Sequence, residues 1–481
     1  MLDALRAGDS QVRGWLVPEG GDPFAATSTW VERFLSRAPD RWNRSAILAA
    51  AGANSAITAT WAATHGALVV TGQQPAVGGG TLYTLVKTAA AIALAERCTT
   101  ATRPVLPLFW CASEDHDLGE AGHADLMTRA GRIERISADL GSGRASLRYR
   151  SARSAWQGFV DACHRHCGPG AGADWLDAQS PQADDGLGTW ACRLIRNFFS
   201  VNHLLAVEAW QLRPLWTDTM RKAISQWPTA ALAQRRTQIM AAGFADSLGA
   251  LDDPPLFADH RSGREALDQA GAGVWLDRDP SVISPGAGLR PILQQIALPA
   301  AIAVLGPGEM AYHAAITPLY AALGATHPLL VPRPSLTLVP GWLRRGCDAW
   351  GVSAATVQAN TDEPASQTHI LHQELSTLSG ALDQLATSAV SPDLARRRDA
   401  GLTRLRRELD RLSQSLGRGE RHQAGRPAFG SLIAWLWPRG APQDRTMSLG
   451  QAIWEHGPGL ADVLVAAARV CAPGDRAVVP V

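Results

Sequence analysis

The chain has 481 residues, too many for one ordinary hydrophobic core, so two or three units are expected, at least one formed by insertion. A formal net charge of +1, with 46% hydrophobic and 19% charged residues, excludes a long disordered chain and gives no global field favouring nucleic acid or an anionic membrane. No stretch approaches the roughly 20 apolar residues of a membrane span, and the N-terminus lacks a basic segment followed by an apolar run, so a cytoplasmic protein is expected.

In chain order, residues 1–65 carry helical patterns, among them an alanine-rich one from Ser45 to Thr64. Gly66–Thr71 reads as a strand, followed by a glycine loop, a helix over Leu82–Arg97 and a second strand over Pro104–Trp110. That succession is a βαβ unit and predicts a parallel sheet buried by helices on both faces. From about 126 to 290 the pattern changes. Arg132–Leu140 and Ala145–Tyr149 read as a hairpin, helical segments follow to about Trp227, and the region reads as an insertion. Strand, turn, helix and strand then recur at Ala300–Leu305, Gly306–Glu309, Met310–Leu323 and His327–Val331, so two halves of one sheet should flank the insertion.

Further on, Leu371, Leu375, Leu378, Leu382 and Leu385 form one heptad seam, and Leu402, Leu405, Leu409, Leu412 and Leu416 form another. Ser388–Pro392 breaks the helix between them, which predicts an antiparallel helical hairpin. Arginines 396–398, 404, 406 and 407 lie mainly off the seam and read as a solvated face. The expected divisions are 1–125 (helices and first half of the core), 126–290 (insertion), 291–365 (second half), 366–417 (hairpin) and 418–481 (a segment packing on the core).

Two polar motifs follow strand ends, where open α/β sheets bind ligands. In the first, Gly78, Gly79 and Gly80 precede a helix whose free amides and dipole favour an anion, with Tyr83 and Lys87 on one helix face. Among 45 basic residues only Lys87 and Lys222 are lysines, so retention of Lys87 beside this loop hints at a specific role. A structural tight turn is the alternative. In the second motif, Glu114, Asp115, His116 and Asp117 can hold an ammonium, bind a divalent ion or orient His116 as a general base; a polar loop with a helix N-cap is the alternative. Seven scattered cysteines suit a reducing compartment, and Cys163-His-Arg-His-Cys167 lacks the second Cys/His pair of a zinc site, so no metal is expected.

Thr71-Gly-Gln-Gln74, Gly79-Gly80, Leu82-Tyr-Thr84 with Lys87, Phe109-Trp110 and Glu114-Asp-His-Asp117 closely resemble the N-terminal signature of the bacillithiol cysteine-adding enzymes. Leu289-Arg-Pro291 with Gln294, Gly306-Pro-Gly-Glu309 with Tyr312, Val331-Pro-Arg333 with Ser335, and Pro442-Gln443 with Arg445 resemble later motifs of that family, in order. Departures include Ala76-Val77-Gly78, Thr81 where proline is usual, Gln295 for aspartate and Asp444 for glutamate. The resemblance implies a Rossmann-like core interrupted by connecting insertions, an antiparallel coiled-coil arm that makes a homodimer, and ligation of cysteine to the amine of glucosaminyl-malate or a related amino-sugar acceptor.

Under that resemblance the catalytic candidates are Glu114, Asp115, His116 and Asp117. The substrate-binding candidates are Gln73, Gln74, Gly78, Gly79, Gly80, Tyr83, Lys87, Arg290, Glu309, Tyr312 and Arg333. Arg290 and Arg333 are also readable as structural ion-pair partners, and Glu309 as a helix cap. An activated cysteine donor implies ATP or ADP as a further ligand. A nucleotidyltransferase on the same sheet and a non-enzymatic dimeric scaffold are the rival readings; product analysis separates the first, and the polar strand-end motifs argue against the second.

Overall fold

A computed structural model describes residues 1–38, 40–128, 131–362, 367–388, 391–423 and 428–481. Residues 1–338 with 441–481 form one compact unit, and 339–440 a second. The strands of the first unit that bear on the site are β1 (Ala67–Gln73), β2 (Val105–Cys111), β3 (His123–Met127), β4 (Ile133–Ser137), β5 (Leu205–Glu208), β6 (Leu256–His260), β7 (Gly263–Leu267), β8 (Ile283–Pro285), β9 (Ala300–Leu305) and β10 (Leu329–Pro332).

Five of them form a parallel sheet in the order β10-β9-β1-β2-β5. Because side chains alternate along a strand, Leu68 and Val70 of β1 enter one core with Leu106, Leu108, Leu205 and Val207, while Ala67 and Val69 enter another with Val105, Ile302, Val304 and Val331. Burial on both faces explains why these strands are continuous apolar runs rather than alternating ones. The two strand pairs read on either side of the insertion share this sheet. The chain leaves β1 toward β2 on one side and returns through β9 on the other, so the crevice beyond the ends of β1 and β9 is the topological switch point.

Local signals set the helix ends. The helix Tyr83–Cys98 packs against β1, β2, β9 and the helix Leu460–Val470; its Thr-Ala-Ala-Ala-Ile-Ala core has no polar face because it has almost no exposed side. Gly306 and Pro307 open the helix Pro307–Leu323, with Pro at the first turn where its missing N–H costs nothing and Gly324 in the left-handed region at the end. The single alanine-rich helix expected over 45–64 is instead two, Arg44–Ala51 and Ala56–Ala63. Gly52, at φ +58°, ends the first, and a capping box between Ser55 and Thr58 starts the second.

The stretch 126–290 departs from its reading in two places. The hairpin is formed by β3 and β4, not by 132–140 with 145–149. Residues 147–149 are a short 3-10 turn, since their amides are drawn to the loop after β2 (Leu147 N to Asp115 O, 2.7 Å; Arg148 N to Ser113 O, 2.9 Å). Also, β5 lies within this stretch yet pairs with β2 in the central sheet. A separate antiparallel sheet, β7-β6-β8, follows.

In the second unit the helices Gln367–Thr387 and Pro392–Gln423 pack on each other, with Arg406 paired to Asp383. Leu402 is buried and Leu375, Leu382 and Leu409 are partly so, whereas Leu378, Leu385, Leu405 and Leu412 are each more than half exposed. The heptad therefore has an inner and an outer row. Ala389 and Val390 of the expected break, residue 366 at the expected start of the hairpin, and the side chains of Leu371 and Leu416 lie outside the described residues.

Candidate active site

The loop after β2 turns back at once, Asp115 N donating to Ala112 O, and Glu114 and Asp115 have different partners. Glu114 is fully buried. It accepts from Arg213 Nε at 2.6 Å, and the same guanidinium donates to Asp259 Oδ2 of β6 at 2.6 Å and to Ser281 O at 2.5 Å. Burial alone would lower the pKa of Arg213, but Glu114 and Asp259 outweigh it and hold it above the ordinary value. Glu114 is thus an anchor between the sheet and the β6–β8 layer. Asp117 is exposed and caps the short helix Leu118–Ala121, accepting from Gly119 N at 2.9 Å and Glu120 N at 3.2 Å.

Asp115 and His116 remain partly open to solvent, their side chains 28% and 25% exposed. Arg144 Nη2 lies 3.2 Å from His116 Nε2, Arg264 Nη1 lies 3.4 Å from Nδ1, and Asp115 Oδ1 is 3.9 Å from Nδ1. Arg290 reaches Asp115 Oδ2 only at 3.8 Å. Burial and the Arg264 charge lower the His116 pKa, Asp115 opposes them and Arg144 adds to them; the ring is therefore held neutral. Burial raises the Asp115 pKa, but Arg290, the His116 amide and Arg264 bring the net value below the carboxylate norm.

The crevice between β1 and β9 is filled differently. Lys87 is buried, with Nζ 2.6 Å from Gly72 O and 2.7 Å from Glu309 Oε2, and Glu309 also accepts from Gly306 N at 2.6 Å. Arg333, at the end of β10, donates to Asp444 Oδ2 at 2.5 Å and to Pro334 O at 2.8 Å, and lies over the Tyr83 ring. Gln73 Nε2 donates to Tyr83 Oη at 2.9 Å, and the side chain of Gln74 stands beside the carboxyl of Glu120. Burial pushes the phenols of Tyr83 and Tyr312 up, Tyr312 well above the usual range.

The expected anion cradle at the glycine loop does not match its geometry. Gly79 N donates to Ala76 O and Gly80 N to Val77 O, so those amides are engaged within the turn. The glycines serve packing: at φ +62° and +82°, a Cβ on Gly78 would meet the Phe159 ring at 2.6 Å and one on Gly79 would meet Leu449 Cδ1 at 2.6 Å. Lys87, expected as an anion ligand, is likewise closed by Glu309.

Sequence reasoning missed Arg144, Arg264, Arg213 and Asp259. All lie in the 126–290 stretch, and among so many arginines nothing in their local sequence marks them. Among the described residues no group of three or more His, Cys, Asp or Glu is arranged to hold a metal ion, and no helix is long and apolar enough to cross a membrane.

Residues 50–334 match the family model described as bacillithiol biosynthesis BshC, N-terminal Rossmann-like domain. The chain belongs to the BshC family. Its relatives include a Heliobacterium modesticaldum protein, 27% identical over 454 residues, covering 83% of this chain and 80% of that one. A Koribacter versatilis protein is 26% identical (84% and 82% covered) and a Thermus thermophilus protein 30% identical (82% and 84% covered). All three bear the name "Putative cysteine ligase BshC". The family's Rossmann-like domain corresponds here to the parallel sheet and the layers packed around it, and the matched segment contains Glu114 through Arg333.

Proposed function

We propose that this chain joins the carboxyl group of cysteine to the amine of glucosaminyl-malate, or of a closely related amino-sugar acceptor, to form an amide. The observation that carries the reading is the placement of a neutral imidazole, His116, at the end of β2 between Asp115 and the guanidiniums of Arg144 and Arg264. The acceptor amine is an ammonium ion in water and must lose a proton before it attacks. An imidazole with a lowered pKa stays unprotonated near neutrality and can take that proton.

Arg264 is fixed on the Nδ1 side by Ser284 and Pro285, whereas Arg144 on the Nε2 side is exposed, so Nε2 is the nitrogen an amine can reach once Arg144 moves off it; in the tautomer that makes Nε2 the acceptor, the ring proton sits on Nδ1, the nitrogen nearer Asp115 Oδ1. His116 takes the first proton from the ammonium and releases it to solvent; the amine nitrogen then bonds to the activated carbonyl carbon, the leaving group departs with its bonding pair, and the second proton lost by that nitrogen passes to the ring, neutral again. Amide formation from a free carboxylate is uphill in water, so cysteine must arrive activated, most simply as an acyl phosphate or acyl-adenylate made from ATP. The Gly78–Gly80 turn does not offer a row of free amides for phosphates, because the amides of Gly79 and Gly80 are spent on carbonyls of the turn itself.

The outer leucine row of the second unit, Leu378, Leu385, Leu405 and Leu412, supports self-association into a homodimer. Replacing all four by Gln is expected to give a folded monomer by sedimentation velocity; an unchanged sedimentation coefficient would remove that row from the interface. The reaction is tested by incubating the protein with cysteine and glucosaminyl-malate, with and without ATP. The predicted outcome is a thiol product of the condensed mass; pyrophosphate release with no thiol product would favour a nucleotidyltransferase instead.

A further inference from the structure

The positive groups at the sheet ends fall into two sets that differ in what neutralises them. On the β1–β9 side each cation has its own carboxylate: Lys87 has Glu309 at 2.7 Å and Arg333 has Asp444 at 2.5 Å. On the β2 side the guanidiniums of Arg144 and Arg264 flank His116 at 3.2 and 3.4 Å, and Arg290 approaches Asp115 at 3.8 Å; the other carboxylates that act on Arg264, Glu114 and Asp259, are already bonded to Arg213.

Arg264 is 4% exposed. Its Nε and Nη2 are fixed by neutral acceptors, Ser284 Oγ at 2.8 Å and Pro285 O at 2.7 Å, and its third nitrogen faces only His116 Nδ1. Among the described residues it has no ion-pair partner, and burial with the nearby Arg290 charge lowers its pKa to about 10. The Nε of Arg290 is buried and has no hydrogen-bond partner among the described residues. A buried guanidinium lacking a counterion is costly, and planar forks of this kind match carboxylates two donors at a time. The arrangement is complete once an anion is added.

We propose that Arg144, Arg264 and Arg290 are the clamp for the acceptor's carboxylates, and that Lys87 and Arg333 are structural. The identity of the acceptor rests on the ligase reading above. In a glucosamine linked through C1 to malate, the amine on C2 is a few bonds from both carboxylates. An acceptor whose amine reaches His116 therefore carries its negative charges toward Arg144 and Arg264, which flank that histidine, and Arg290, which faces Asp115 beside it. Carboxylate binding also supplies the pull that takes Arg144 off Nε2, so docking the acid and freeing the base are one event.

The test uses Arg264→Gln, with Arg144→Gln as an exposed-site variant that should not perturb folding, and L-malate as a probe that needs no turnover. Isothermal titration of wild-type protein should show malate binding, weakened at least about tenfold in either variant. In assays, KM for glucosaminyl-malate should rise at least about tenfold in Arg144→Gln with kcat within a few-fold, while the methyl glycoside of glucosamine, which has no carboxylate, should show the same KM in both proteins.

Unchanged malate affinity in both folded variants would overturn the proposal. So would binding of inorganic phosphate or ADP, but not malate, that is lost in the same variants, since the arginines would then hold the nucleotide. Because malate binding is read without product, failure of the ligase reading alone would leave the clamp result standing.

Discussion

Arg213→Met is expected to lower the stability of the first unit by about 3–5 kcal/mol, the usual cost of removing one partner from a buried ionic cluster. The reason is not the strength of any one pair. Glu114 is 0% exposed and Arg213 is the only cation within hydrogen-bonding distance of it among the described residues, so Glu114 would be left unpaired in a poorly solvated place, while Asp259, 1% exposed, would keep only Ser146 and the more distant Arg148 at 3.6 Å. Glu114 belongs to the loop that carries Asp115 and His116, and Asp259 belongs to the layer that carries Arg264, so loss of the cation should also loosen the site. Urea unfolding followed by tryptophan fluorescence measures the change. A loss under about 1 kcal/mol would mean that the cluster does not join the two layers.

His116→Asn keeps polarity and approximate size but removes the titrating ring, and product formation is expected to fall about 10²-fold or more with the fold preserved. The pH profile gives the assignment its sign. Because burial, Arg264 and Arg144 together outweigh Asp115, the folded pKa of His116 lies below the free imidazole value, and the base form persists further into acid. The acidic limb of kcat/KM should therefore fall below about pH 6.5. Asp115→Asn removes the charge that favours the protonated ring and should move that limb lower still. Circular dichroism of both variants separates chemistry from unfolding, and a near wild-type rate for folded His116→Asn across acidic and alkaline pH would end the general-base assignment.

The central sheet was legible because strands buried on both faces leave unbroken apolar runs, as in Ala67–Val70 and Ala300–Leu305, and because glycine-rich turns follow them. β5 was not, since Leu-Ala-Val-Glu is too short a run to distinguish from the helical segments around it. At the site, the loop after β2 was legible as a polar cluster at a strand end, but the division of labour inside it was not. Glu114, Asp115 and Asp117 are alike in sequence, and only tertiary neighbours make one an anchor to Arg213, one a neighbour of His116 and one a helix cap. The glycine loop misled for a related reason. Positive φ and close approach demand glycine whether the neighbour is an anion or, as here, the Phe159 ring and Leu449. Arg144 and Arg264 reach His116 from more than 25 and more than 140 residues away, beyond any local pattern.

The bond that defines the proposed reaction is the amide between the cysteine carboxyl and the acceptor amine. NMR reads that bond in the product made from cysteine labelled with ¹³C at the carboxyl and glucosaminyl-malate labelled with ¹⁵N at the amine. A one-bond ¹³C–¹⁵N coupling is expected in material formed by wild-type protein, and it should be largely absent with His116→Asn. A product that contains both labels but shows no such coupling, or no joint product at all with a competent activated donor, would contradict amide formation by this chain.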